Sequence, residues 1–401
     1  GVLYTRALTA ERPELRDKVR WILLDTADRP LGTALAGALP AGGLGRHSAD
    51  ALQSLFAGRN VDLAVSTGED RFTLSATTTP GDLALQLQLL AAALTDPGYR
   101  PEGEQQYRRG VADFFARAAA TPEGALATQL GAILSDNDPR FSLQPRAAQE
   151  AASFADLRAT MGDRLAAGAL ELAVVGDFDE DATIRAIDAT LGTLPAREPD
   201  FRPYADNRDR SYTSDRSPRI LYHDGPAAQA LLRLSWPTTD GDDHPQSLRL
   251  ELLRRVAQLE LTETLRERLG QTYSPQASAT QPRTWPGYGE FALSAAIAPD
   301  QLAATRAAML ATIARLAATP IDNDELLRAR APLQQLYANA LKGNAGWLGL
   351  ASRAQSRPGD IARFQAAPDL IAAITPAELQ AEAARWLDPA EALEVTVLPR
   401  P

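Results

Sequence analysis

Phe72-Thr-Leu-Ser-Ala-Thr-Thr-Thr-Pro80 and Phe291-Ala-Leu-Ser-Ala-Ala-Ile-Ala-Pro299 follow one pattern, and each leads into a long run rich in alanine and leucine. Alternation of apolar and polar residues marks a strand with one buried face, and the proline stands where that strand hands over to a helix. Moving outward, the parallels continue in the same order. Pro101-Glu-Gly-Glu104 opens one helical pattern and Ile321-Asp-Asn-Asp-Glu325 another, with acids where a helix N-terminus favours negative charge. Ser153-Phe-Ala-Asp-Leu157 answers Thr375-Pro-Ala-Glu-Leu379, a Ser or Thr cap followed three residues on by an acid, as in a capping box. Each copy closes on a short apolar strand, Leu172 to Val175 and Glu394 to Val397. The offset stays near 219 to 222 residues. The chain therefore reads as one duplicated unit of about 200 residues and not as a short-period solenoid.

The polar stretch from Pro195 to Pro218 has little apolar periodicity and reads as the boundary, giving a first repeat over 1–200, a linker over 201–217 and a second repeat over 218–401. Within each repeat the predicted order is strand, helix, paired strands, two long helices, one or two shorter helices and a final strand. The paired strands are Val61 to Ser66 with Arg71 to Thr77, and Tyr273 to Thr280 with Gly287 to Ala296. Gly68 suits a tight hairpin in the first copy, whereas Pro282 to Pro286 lengthens the connection in the second. Helices outnumber strands and the strands alternate. The expected class is α+β, a tandem duplication of a two-layer domain whose sheet is covered on one face by helices.

The 401 residues are 45% hydrophobic and 23% charged, an ordinary globular composition that excludes disordered and fibrous classes. A formal net charge of -10 argues against a nucleic-acid partner held by phosphate neutralisation. Of 41 basic residues only Lys18 and Lys342 are lysines, which reads as the coding bias of a GC-rich genome rather than as arginine-based recognition. With no cysteine there is no disulfide framework, thiolate nucleophile or thiolate-bound zinc, and the compartment is left open. No apolar run approaches the roughly 18 residues of a membrane span, so no membrane partner is expected. The chain opens in a strand-like segment without an initiator methionine, as a mature or excised part of something longer would.

Candidate chemistry is defined mostly by what the sequence lacks. His47, His223 and His244 are the only histidines, and neither His-Glu-x-x-His nor its inverse His-x-x-Glu-His occurs, so no metal ligands are assigned to this chain. No Gly-x-Ser-x-Gly elbow supports a serine triad. Ala41-Gly-Gly-Leu-Gly-Arg-His47 has the glycines of an anion-binding loop, but it lacks the Gly-Lys-Ser/Thr ending of a Walker loop. A close-packed glycine turn is the favoured reading. A long helix from about Pro245 ends in Thr264-Leu-Arg-Glu-Arg-Leu-Gly-Gln-Thr-Tyr-Ser-Pro275, with Glu260, Glu263 and Glu267 along one face and Gly270 as a C-cap. On spacing alone, Arg266 at this helix end is explained by the helix dipole, as a cap with a solvated charged face.

Arg266-Glu-Arg-Leu-Gly-Gln-Thr-Tyr273 resembles the arginine/tyrosine motif in the C-terminal half of the pitrilysin (insulinase-type, inverzincin) zinc metallopeptidases, with the same seven-residue spacing. Gly42-Gly-Leu-Gly-Arg-His-Ser48, Val175-Gly-Asp-Phe178 and the duplication itself agree, and the likeness covers the chain from about residue 30 onward. The resemblance implies the metallopeptidase LuxS/MPP-like fold, with four homologous domains in two halves that close around a peptide-sized chamber. It implies that zinc lies in the other half, bound by that half's inverted motif, so that this chain carries no cofactor and does not hydrolyse peptides alone. It assigns Tyr273 a catalytic role, donating a hydrogen bond to the scissile carbonyl as it becomes an oxyanion. It assigns Arg266, with Tyr273, to substrate binding.

The function expected from this resemblance is the non-zinc-binding C-terminal half or subunit of a zinc-dependent peptidase. Its partners would be a zinc-bearing N-terminal half or homologous subunit and the peptide substrate. The alternative is a non-catalytic homologue serving as a scaffold or assembly subunit, in which Arg266 and Tyr273 only cap and pack. Relatives in bacteria are often exported, so a periplasmic location is expected, with the cytoplasm as the alternative.

Overall fold

The computed structural model describes residues 4–7, 31–199, 207–268 and 275–401, with side chains for all of these but 4–7 and 266–268. The first part of the chain runs β1 (Tyr4–Ala7), α1 (Ala49–Leu55), β2 (Ala64–Thr67), β3 (Phe72–Ser75), α2 (Leu83–Thr95), α3 (Pro101–Ala119), α4 (Pro122–Leu134), α5 (Arg146–Ala151), α6 (Phe154–Ala167), β4 (Glu171–Val174) and α7 (Glu180–Ala189). The second runs β5 (Arg219–His223), β6 (Ala230–Thr238), α8 (His244–Thr262), β7 (Gln276–Thr280), β8 (Gly289–Ile297), α9 (Leu302–Ala318), α10 (Asn323–Ala340), α11 (Asn344–Ala351), α12 (Gly359–Ala373), α13 (Pro376–Trp386) and β9 (Leu393–Pro399). A helix, a β-hairpin, five helices and a strand thus occur twice in the same order. Both predicted capping boxes form. Ser153 and Asp156 bond reciprocally at the start of α6, as do Thr375 and Glu378 at the start of α13. Such a box satisfies two helix donors that would otherwise lack partners and fixes where the helix begins.

The described residues fall into two compact units, each assembled from three segments. One comprises 1–114, 144–207 and 343–360; the other comprises 115–143, 208–342 and 361–401. Each unit therefore includes a segment from the other half of the chain, and the two borrowed segments hold the equivalent helices α4 and α11.

In the first unit β2 and β3 pair antiparallel from Ala64 opposite Ser75 to Thr67 opposite Phe72, as the alternating pattern predicts, and β1 pairs antiparallel with β4. Its core gathers Leu35, Leu39, Val65, Leu87, Phe154, Leu157 and Met161. Arg197, in the stretch predicted as a boundary, turns its guanidinium onto the carbonyls of Arg164, Leu165, Ala166 and Gly168 at 2.8–3.0 Å. It thereby satisfies the last acceptors of α6 with a positive charge at the negative helix end. The borrowed segment is pinned by Glu171 of β4, which accepts from the Gln355 N–H at 2.6 Å and the Ser356 hydroxyl at 2.7 Å.

The second unit is a five-stranded mixed sheet in the order β5-β9-β6-β8-β7, in which β5 and β9 run parallel and the other neighbours antiparallel. One face buries Leu232, Leu234, Trp236, Phe291, Leu293 and Ile297 against α8, α9, α10 and α13. This is the helix-covered face predicted from the sequence. On the opposite face Leu221, Leu231, Val395 and Val397 pack against Ala125, Leu126 and Leu134 of α4. Among the described residues no helix is long and apolar enough to cross a membrane.

Candidate functional site

The helix that carries the arginine of the motif starts at a well-made cap. The Asp243 carboxylate accepts the Gln246 N–H at 3.0 Å, and Pro245 occupies the first turn, where its missing donor costs nothing. Leu248, Leu252, Leu253, Val256 and Leu261 bury α8 in the core. Past Thr262 the backbone widens into a π-helical turn over Glu263–Arg268. One-turn π segments inside α-helices are rare and frequent at functional sites, because the extra residue per turn re-aims the side chains that follow. Leu265 in this turn is 1% exposed and anchors it in the core.

Arg266 thus lies on the π-turn that ends α8, and its side chain is outside the description. Tyr273 lies outside the described residues, as does Gly270, the predicted C-cap. The predicted hairpin around 273–296 is present from β7 onward, with Gln276 opposite Ser294 and Thr280 opposite Glu290.

The acidic residues of this helix are not all solvated. Glu260 is paired with Arg315 of α9, whose Nε donates to its Oε2 at 2.9 Å, and its side chain is 11% exposed. It joins two helices where the sequence suggested a face open to water. Arg315 also approaches Glu325, whose carboxyl is raised by burial despite that positive neighbour. Further back on α8, Glu251 binds both Arg254 and Arg255 at 2.7–2.8 Å. The hydrogen bond from Arg254 to Glu251 holds that guanidinium above its usual range.

The glycine-rich segment is settled by Arg100. Its Nη1 lies 3.0 Å from the Gly42 carbonyl, 2.6 Å from that of Leu44 and 2.9 Å from that of His47, and its Nη2 lies 2.8 Å from that of Gly45. Carbonyl oxygens, not N–H groups, converge on the centre of the loop, and a cation already fills it. That is the reverse of an anion cradle. Gly43 has φ +70, and a Cβ there would collide with the His47 carbonyl, which explains the glycine. The loop ends at Ser48, whose hydroxyl caps α1.

The histidines are not gathered into a site. His47 contributes its carbonyl to the Arg100 loop. His223 is buried in β5, with Nε2 2.8 Å from the Gln229 carbonyl and Nδ1 accepting the Gly225 N–H. His244 stands at the first turn of α8, where burial, then Arg363 and Arg283, pull its pKa down. Among the described residues no group of three or more His, Asp or Glu side chains that could hold a metal ion is found.

A family model described as the peptidase M16 inactive domain matches residues 151–333. No curated protein matches the chain in sequence. Among solved structures, a protease from Helicobacter pylori superposes with a TM-score of 0.74 at 14% identity, covering 96% of this chain and 92% of that one. The peptidase M16 inactive domain from Pseudomonas fluorescens gives 0.75 at 16% identity, covering 94% and 91%. The periplasmic protease PqqL from Escherichia coli gives 0.73 at 16% identity, covering 94% of this chain but 42% of its own length. At these identities the structures show a shared fold. Residues 151–333 thus match the inactive-domain family of the M16 peptidases, and the duplicated order of elements agrees with the shared fold.

Proposed function

We propose that this chain is the half of an M16 peptidase that does not bind zinc, and that it works by enclosing a peptide and contacting the reacting carbonyl. Its partner is a zinc-bearing half, on the same polypeptide or a separate one, and zinc is expected there. The observation that carries the reading is the Arg266-to-Tyr273 spacing, with Arg266 on the π-turn that ends α8 and β7, an edge strand, beginning at Gln276. Such a site works by geometry. A phenolic hydroxyl at Tyr273 donates a hydrogen bond that strengthens as the scissile carbonyl oxygen gains charge, and Arg266 holds the peptide main chain or a neighbouring group in register. Both contacts act when the two halves close on the substrate. A periplasmic site of action is proposed on the family's habit of export and the likeness to a periplasmic protease.

The test is reconstitution. The chain is purified with its zinc-bearing half and assayed on fluorescein-labelled casein peptides. Tyr273→Phe should lower turnover by about 10²-fold with zinc content unchanged. Unchanged turnover removes the oxyanion role, and failure of the two halves to associate favours the scaffold alternative.

A further inference from the structure

The five-stranded sheet of the second unit ends in two edge strands, β7 and β5, and an edge presents unpaired main-chain groups that can take up another strand. The β7 edge is occupied. Gln258 of α8 accepts the Ala277 N–H through Oε1 at 2.8 Å and donates from Nε2 to the Pro275 carbonyl at 2.7 Å, and Arg254 Nη1 lies 3.3 Å from the Ala277 carbonyl. The β5 edge has no such cover among the described residues. The Arg400 N–H donates to the His223 carbonyl at 2.9 Å, so His223 turns its main chain toward β9, and Arg219 and Leu221 do the same by alternation. The N–H and C=O groups of Ile220 and Tyr222 therefore point away from the sheet. Their side chains share one face and are 58% and 43% exposed, whereas Leu221 and His223 on the other face are buried. An edge is ordinarily guarded by charge, proline or a bulge, but Ile220–Tyr222 carries none of these.

This exposed pattern is complementary to itself. When two copies of β5 run antiparallel about a twofold axis through Leu221, Ile220 of each lies opposite Tyr222 of the other. The outward groups then form two hydrogen-bonded residue pairs, about four main-chain bonds in all. Each pair also sets a β-branched side chain against an aromatic one, a favourable cross-strand combination. A slip of one residue would place groups that face β9 opposite outward ones and forfeit those bonds, so the register is fixed. Covering the four half-exposed side chains removes roughly 400 Å² from water, well below the ~1,200 Å² of a stable interface, so the association is weak and reversible. We propose that β5 is a self-association edge, to which a second copy of this chain adds its own β5 to make one continuous ten-stranded sheet. Because β7 lies at the far edge in each copy, the pairing leaves the α8–β7 side of both open. The net charge of -10 on each copy opposes the approach, so added salt strengthens the association.

Sedimentation velocity of this chain tests it. The weight-average mass should stay near 43.0 kDa at about 5 μM and rise by roughly a third or more at about 300 μM, as a Kd on the order of 10⁻⁴ M requires. Ile220→Arg and Tyr222→Lys, both at exposed positions, should each keep the monomer mass at the higher concentration, because each brings a like-charged pair of side chains into the joint. A second measurement needs only the wild type. The Ile220 and Tyr222 amides should exchange about 3-fold more slowly at the higher concentration, while the Leu221 amide, which faces β9, is unchanged. A monomer at both concentrations, a dimer that survives either substitution, or equal exchange at residues 220 and 222 overturns the proposal. A wild type that stays monomeric but loses its association with the zinc-bearing half on Ile220→Arg assigns the edge to that half instead, and overturns the proposal as well.

Discussion

Replacing Arg100 tests the claim that the glycine-rich loop is built around an internal cation. Four carbonyls face the guanidinium, but three of them share Nη1, which carries two protons, so about three bonds are counted rather than four. The bonds to Gly42 and Leu44 are partly buried, whereas those to His47 and Gly45 are open to water, which replaces them at little cost. At roughly 1.5 kcal/mol for each protected bond to a charged group, Arg100→Ala should destabilise the first unit by about 3 kcal/mol. Arg100→Lys, with one compact ammonium in place of a planar fork, should recover less than about half of that. A chain of two compact units need not unfold in one step, so a single global midpoint is unsuitable. Urea-dependent hydrogen exchange of the peptides covering 36–55 reports the unit concerned. A change below about 0.5 kcal/mol, or full retention in the lysine variant, would refute the clamp. Inorganic phosphate at millimolar concentration should stabilise neither variant nor wild type through this loop, because its inward groups are acceptors.

Two further outcomes follow from the packing. Glu171→Ala removes the acceptor for Gln355 and Ser356, and should raise hydrogen exchange of residues 355–356 about 10-fold, equivalent to roughly 1–2 kcal/mol of local opening. Equal exchange in both proteins would show that other contacts hold the 343–360 segment. For pH, burial and two arginines hold His244 below its ordinary value when folded, so the unfolded chain binds the proton more readily. This contribution to stability is present above the ordinary histidine value and is lost as pH falls through the folded value. His244→Gln should therefore lose less stability than wild type between about pH 7.5 and 5, measured by urea-dependent hydrogen exchange of peptides covering α8, and parallel losses would contradict the reasoning.

Much of this was legible in the sequence because it is local. A capping box needs four consecutive residues, so Ser153 with Asp156 and Thr375 with Glu378 could be read directly and both form. Strand alternation placed the Phe72 and Phe291 strands, and the lack of an inverted zinc motif is itself a statement about sequence. Glu260 was misread because helical spacing reports which residues share a face, not which helix covers that face. Its partner Arg315 is 55 residues away.

The sequence alone determined the α+β class, since strand alternation and helix caps depend on neighbours within a turn or a strand, and the duplication, since those local patterns recur in the same order at a steady offset. Tertiary structure alone decided which segments belong together. Residues 115–143 and 343–360 each join the unit built mainly from the other half of the chain, and no periodicity records that exchange. It also decided what the glycine loop encloses and what holds β7, because Arg100 and Gln258 reach groups that only folding brings within hydrogen-bond distance. A side-chain donor carries no mark in the sequence of the carbonyl it will meet. That partner is chosen by long-range packing, where the cost of a buried unpaired polar group selects one arrangement over the rest.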